Sequence, residues 1–118
     1  MSQDTRQGTV VEPIPSVDPE SMDAIFQALA DVSRRVAIEY LTASERPVSR
    51  DELVQHVATI VNDGTSPGGT QHDEIAVRFH HRHLPKLTEA GLVDYDRERD
   101  VLYATRTADA VARCLERR

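Results

Sequence analysis

Three basic side chains recur at every fourth position of one segment. Arg78, Arg82 and Lys86 keep this spacing, which places them on one face if the segment is helical. Residues 75–88 contain these three basic residues and no Asp or Glu. The rest of the chain contains the other eleven of the 14 Lys and Arg, together with all 20 Asp and Glu. A guanidinium donates two parallel hydrogen bonds to a phosphate or to a guanine edge. This basic stripe (Arg78, Arg82 and Lys86) could therefore bind a nucleic acid.

Three further side chains could extend the basic stripe. His81 adjoins it, and Arg97 and Arg99 lie in a run of four charged residues between two apolar segments. We expect both arginines to add contacts to phosphates or to the minor groove, while His81 could change the local charge near neutral pH. The alternative is that these basic side chains form an ordinary solvated helix face, which is common.

The remaining candidates for chemistry are four neighbouring histidines and one cysteine: His72, His80, His81, His83 and Cys114. A third metal ligand beside His80 and His83 would require the start of their helix to fold back, so the sequence favours local hydrogen bonds over a metal site. Cys114 excludes an internal disulfide and is expected in the core or in an interface. The sequence carries no motif of a known catalytic centre, so we expect no enzyme and no cofactor.

Composition limits the class of protein. The net charge is −6, and all basic residues except Lys86 are arginines. An acidic, lysine-poor surface stays hydrated in concentrated salt, which favours a salt-adapted host. A GC-rich genome would also favour arginine codons. With 118 residues, no secretory signal and no run of about 18 apolar residues, the chain is expected to be one cytoplasmic domain without a membrane segment.

The pattern of prolines and apolar residues predicts the elements of the first half. Residues 1–20 contain three prolines and predict a flexible N-terminal arm before a folded domain at 21–118. Ser21 and Asp31 are expected to cap the first two helices. Ser49-Arg-Asp-Glu52 matches a capping box, in which Ser49 accepts from the amide of Glu52 and the Glu52 carboxylate accepts from the amide of Ser49.

A long loop, a long helix and a hairpin are predicted next. In order, the sequence predicts a loop over 62–70, a helix over 71–90 ended by Gly91, strands over 92–96 and 101–105, and a last helix capped by Thr107.

Helical projection assigns faces to these segments. In the long helix, Val77, His80, Leu84 and Leu87 are predicted to face the core. Pro85 removes one backbone hydrogen bond and is expected to kink the axis. In the second helix, Arg34 and Arg35 are predicted to face water.

Two segments resemble known regulators. Ala28-Leu-Ala-Asp-Val-Ser-Arg-Arg-Val-Ala-Ile-Glu-Tyr-Leu41 resembles the opening of ArsR-like winged helix-turn-helix proteins. His83-Leu-Pro-Lys-Leu-Thr-Glu-Ala-Gly-Leu-Val-Asp-Tyr-Asp96 is similar to the end of the recognition helix and the first wing strand of small haloarchaeal winged-helix proteins, most without an assigned function. The resemblance covers about residues 22–106.

The resemblance implies a mainly α (α+β) winged helix-turn-helix fold with four helices, a two-stranded β-hairpin wing and a C-terminal helix. It also implies a sequence-specific transcriptional regulator that binds double-stranded DNA as a homodimer, with the fourth helix in the major groove and the hairpin tip near the adjacent DNA backbone. The implied dimer contact is formed by the first and last helices, through Ile25, Phe26, Leu29, Val111, Cys114 and Leu115.

The sequence departs from this pattern in two places. The connection over 62–70 is longer than the usual three- or four-residue turn, and Pro85 lies inside the expected recognition helix. The alternative hypothesis is that the same scaffold serves as a dimerisation or protein-interaction module that does not bind DNA.

Overall fold

Helices form most of the structure. The computed structural model describes residues 18–62 and 69–116. The elements are α1 (Pro19–Ala28), α2 (Val32–Ala43), β1 (Val48–Ser49), α3 (Arg50–Val61), α4 (Gly69–Arg78), a π-helical turn (Phe79–His83), α5 (Leu84–Glu89), β2 (Val93–Asp96), β3 (Val101–Ala104) and α6 (Arg106–Glu116). The predicted mainly helical α+β class is confirmed. Within the described ranges, no helix is both long and apolar enough to cross a membrane.

Two predicted segments fall mostly outside the described ranges. The N-terminal arm lies outside them up to residue 17, and so does the loop from 63 to 68. The ends of both predictions are corrected, because α1 already begins at Pro19 and α4 at Gly69.

Side-chain caps fix where the first two helices begin. The Asp18 carboxylate accepts from the amide of Ser21 at 2.8 Å, so Asp18 and not Ser21 caps α1. Pro19 suits the first helical position because its missing N–H would have no partner there. Asp31 caps α2 as predicted, accepting from the amides of Ser33 and Arg34 at 2.8 and 3.3 Å.

The sheet has one strand more than the sequence predicted. β2 and β3 form the expected hairpin, and β1 pairs antiparallel with β3, giving the order β1-β3-β2. Val48 lies opposite Leu102, and both side chains are fully buried. A strand of two residues is too short to show the alternation that predicts longer strands. It joins the start of α3 to the hairpin.

The predicted capping box is half formed. Ser49 Oγ accepts from the amide of Glu52 at 3.0 Å, as predicted. The Glu52 carboxylate does not return to the amide of Ser49. It accepts instead from the Tyr40 hydroxyl at 2.5 Å and from the Arg46 guanidinium at 2.8 Å. Glu52 therefore ties the start of α3 to α2.

Of two later helix boundaries, one was predicted correctly and one was not. Gly91 ends the long helical segment as predicted, with a φ of 75° that favours glycine. Thr105, not Thr107, caps α6, since its hydroxyl accepts from the amide of Ala108 at 3.1 Å.

The core lies between the helices and the inner face of the sheet. α6 packs against α2 and β3, whereas α1 packs against α5. Its largest fully buried side chains are Ile25, Ile38, Val48, Leu53, Val54, Val57, Phe79, Leu87, Leu92 and Leu102.

A buried guanidinium joins α1 to the next helix. Arg34 was predicted to face water, but only 8% of it is exposed, so that prediction is wrong. Its Nε donates to the Ala28 carbonyl at 2.7 Å and its Nη2 to the Gln27 carbonyl at 3.3 Å. The last carbonyls of a helix lack intrahelical partners and carry partial negative charge, which a cation stabilises. Arg34 therefore caps the C-terminal end of α1.

We expect Arg34→Lys to lower the free energy of unfolding by about 2–3 kcal/mol, because one ammonium cannot serve acceptors spread around a planar fork. Urea denaturation measures the change. Arg113→Lys is the matched control, since Arg113 is exposed and has no hydrogen-bond partner among the described residues. Equal midpoints for the two variants would contradict the assigned role of Arg34.

Candidate nucleic-acid interface

The basic stripe lies on a continuous helical segment made of α4, the π-turn and α5. The amide of Leu84 donates to the carbonyl of Phe79, five residues back, which defines the wider turn. The next residue, Pro85, lacks an N–H, and its ring would crowd the carbonyl of His81 in a regular α-helix. The distortion expected at Pro85 is therefore a π-turn directly before it.

The π-turn decides which side chains enter the core. Phe79 and His83 are buried within it, and Leu84 and Leu87 are buried after it, the last two as predicted. Each residue of a π-turn rotates through less than the roughly 100° of an α-helical residue. Phe79 is thereby brought onto the same face as Leu84.

The same rotation overturns two predicted core positions. Val77 is 58% exposed and His80 is also exposed, although both were predicted to face the core. The prediction was wrong because it applied α-helical geometry through the π-turn.

The three basic side chains point into solvent. The side chains of Arg78, Arg82 and Lys86 are exposed, and none of them makes a hydrogen bond or an ion pair with any described residue. The described residues form ion pairs elsewhere, between Arg46 and Glu52 and between Arg50 and Asp100. No described residue therefore competes with a ligand for the donors of the basic stripe.

Two surface clefts show where the other residues predicted to bind DNA lie relative to the basic stripe. Arg97 lines a cleft of about 770 Å³ beside β2, together with His80 and His81. His81 also lines a second cleft with Arg78 and Arg82. His81 therefore lies between the hairpin and the basic stripe. Lys86 and Arg99 are exposed but line neither cleft among the described residues.

The hairpin tip is held from within the fold. The Asp100 carboxylate accepts from Arg50 at 2.9 and 3.2 Å and from the Tyr95 hydroxyl at 2.5 Å. The Arg50 guanidinium and the Tyr95 hydroxyl lower the pKa of Asp100 below its usual value. Asp100 has a φ of 57°, which Asp tolerates better than most residues. Sequence reasoning missed this anchor because Arg50 lies far from the hairpin in the chain.

A second anchor lies beneath the basic stripe. His83 is 5% exposed, and Arg34 Nη1 lies 3.2 Å from its Nδ1. A guanidinium only donates, so Nδ1 accepts and the ring proton of neutral His83 is on Nε2. Burial lowers the pKa of His83. Asp31 opposes this shift, and Arg34 supports it.

The described histidines and the cysteine do not form a cluster of three possible metal ligands. Among the described residues, no three His, Cys, Asp or Glu side chains come together as metal ligands. The rings of His80 and His81 meet edge to face, with centroids 5.1 Å apart. Cys114 is exposed, so it is not a core residue.

Two of the six predicted dimer residues require correction. Ile25 and Val111 are buried in the core of the single chain, where they offer no surface to a partner. Phe26 is 60% exposed. Leu29 and Leu115 are half-buried, and Cys114 is exposed.

A family model described as a domain of unknown function (DUF7344) matches residues 26–103, which is more than half of the chain. The matched region runs from the end of α1 to β3 and includes the basic stripe and the hairpin. No curated protein and no solved structure matches the chain.

We expect the stability of the fold to fall in mild acid because of His83. Its folded pKa lies below the unfolded value of about 6.5, so protonation favours the unfolded chain. The stability that depends on neutral His83 is fully present above about pH 6.5 and is lost as the pH falls through the folded pKa. Urea denaturation across this range should show a smaller loss for His83→Gln than for the parent. His81→Gln, at an exposed position, is the control and should keep the parent's profile. A parental profile in His83→Gln would refute the assignment.

Proposed function

We propose that this chain, which belongs to the DUF7344 family of domains of unknown function, is a winged helix-turn-helix transcriptional regulator that binds specific sequences of double-stranded DNA as a homodimer. The observation that carries the proposal is the basic stripe. Three cations without partners among the described residues share one helical segment of a protein whose net charge is −6.

The order of the elements supports the winged-helix assignment. In this proposal α3 is the first helix of the helix-turn-helix, and the segment from α4 to α5 is the recognition helix. The β2–β3 hairpin is the wing, and β1 adds a short third strand beside it. The resemblance to ArsR-like proteins supports the same order, and the arginine pair of that motif has a structural role here. Arg34 and Arg35 donate to the last carbonyls of α1 and its cap.

The proposed docking places the recognition helix in the major groove. Arg78 and Arg82 would bind guanine edges or phosphates, and His81 would lie between them and the wing. Arg97 and Arg99, at the exposed tip of the hairpin, would contact the sugar-phosphate backbone of the DNA beside the major groove. Lys86 would add a phosphate contact farther along the helix.

Salt limits how much of the affinity can come from charge. Each neutralised phosphate contributes about −0.9 to the slope of log affinity against log salt concentration. In a concentrated cytosol, contacts to base edges and dimerisation would therefore have to supply much of the binding free energy.

The alternative is a protein-interaction module on the same scaffold. It is favoured by the acidic balance of the chain and by exposed apolar side chains such as Phe26 and Val32, which are 60% and 51% exposed.

Replacement of both arginines separates the two functions. We expect Arg78→Ala/Arg82→Ala to weaken binding to genomic DNA fragments at least about tenfold and to reduce the salt slope by about 1.8 if each arginine neutralises one phosphate. Fluorescence anisotropy over a range of KCl concentrations measures both quantities, and circular dichroism checks the fold.

The matched control is Arg106→Ala/Arg113→Ala, which removes the same charge from exposed positions on α6. Equal binding by both double variants, or no binding by the parent, would favour the interaction module.

Dimerisation is tested at the most exposed apolar residue of the predicted contact. We expect the parent to scatter light in molar KCl with twice the 13.2 kDa mass of one chain, and Phe26→Glu to scatter as a single chain. Ile60→Glu, at an exposed site on α3, should remain dimeric. A parent of single-chain mass would disprove the homodimer.

A further inference from the structure

We propose that Val77 determines specificity by contacting the 5-methyl group of a thymine in the major groove, next to the bases or phosphates that Arg78 and Arg82 bind. The inference rests on the proposed function and deepens it, because it names a feature of the DNA that the site would read.

The first argument is the position of Val77. Among the described residues of α4, the π-turn and α5, Val77 is the exposed large apolar side chain, and 58% of it is accessible. It lies in the last turn of α4, directly before the π-turn that draws Phe79 into the core. Phe79 is therefore packed in the core, whereas Val77 faces solvent beside Arg78.

The second argument is the set of side chains around Val77. It lines one surface cleft together with five polar side chains: Asp73, Glu74, Arg78, His81 and Arg82. Asp73 precedes Val77 by four residues of α4 and is its neighbour on the helix surface, and His81 of the π-turn lines the same cleft.

The third argument is the charge of the cleft. Two carboxylates and two guanidinium groups line it, so their formal charges cancel. A neutral cleft attracts a phosphate backbone weakly, and the carboxylates of Asp73 and Glu74 repel it. What the cleft offers is a pair of directed guanidinium donors beside an apolar surface, which suits the edges of bases.

The chemistry of the major groove supplies a matching partner. An A·T pair presents the thymine methyl group there, and apolar side chains contact it. Valine is stiff about its first side-chain torsion, so little rotamer entropy is lost when it is held against a base. The contact releases no counterions, so its contribution to the affinity is independent of salt.

Selection from a pool of random DNA duplexes tests the inference. The parent should enrich sequences with a thymine at a fixed distance from a guanine. Val77→Ala should keep the guanine preference and lose the thymine preference. Ile60→Ala, which truncates another exposed apolar residue on α3, is the matched control and should select the parental sequences.

Replacement of that thymine by deoxyuridine removes only the methyl group. The affinity of the parent should fall about fourfold, the effect of exposing one methyl group, and its salt slope should stay unchanged. Val77→Ala should bind both duplexes equally. A parent that enriches guanine without thymine, or binds the deoxyuridine duplex equally well, overturns this inference and leaves the proposed function standing. A parent that enriches no sequence overturns both.

Discussion

The position of the basic stripe depends on the buried Arg34 guanidinium. It donates to the carbonyl end of α1 and lies against His83 of the π-turn, so one side chain connects α1, α2 and the helical segment that carries the basic stripe. A buried cation is tolerated only when its donors are paired, and here the partners are two carbonyls and a neutral imidazole. Together with the packing of Phe79, Leu84 and Leu87 in the core, this junction holds the segment against α1 and α2.

The sequence predicted what depends on local chemistry. Asp31, Ser49 and Gly91 act near their own helix ends, and the two alternating segments pair as the expected hairpin. Partners distant in the chain were missed, as for Arg34, whose exposure a helical projection assigns from its own helix alone. The short strand β1 was missed because two residues show no periodicity.

The candidate site was predicted in part for a similar reason. Exposure of Arg78, Arg82 and Lys86 follows from their spacing and is confirmed. The core positions around them were only half right, because the π-turn changes the rotation per residue between Phe79 and His83. Pro85 predicts a disturbed helix, but the sequence does not tell a kink from a widened turn. The proposal that these exposed side chains bind DNA rests on charge, exposure and resemblance.

The anchored hairpin has a consequence for the energetics of any ligand. Asp100 fastens the tip to Arg50 at the first residue of α3, and Tyr95 closes the link from β2. A loop that is ordered only upon association loses conformational freedom at that moment, which weakens the complex. Here the backbone around Arg97 and Arg99 is immobilised when the chain folds. The Arg99 guanidinium also donates to the Tyr103 hydroxyl at 3.5 Å, so the side chain that remains to be ordered at the moment of encounter is that of Arg97.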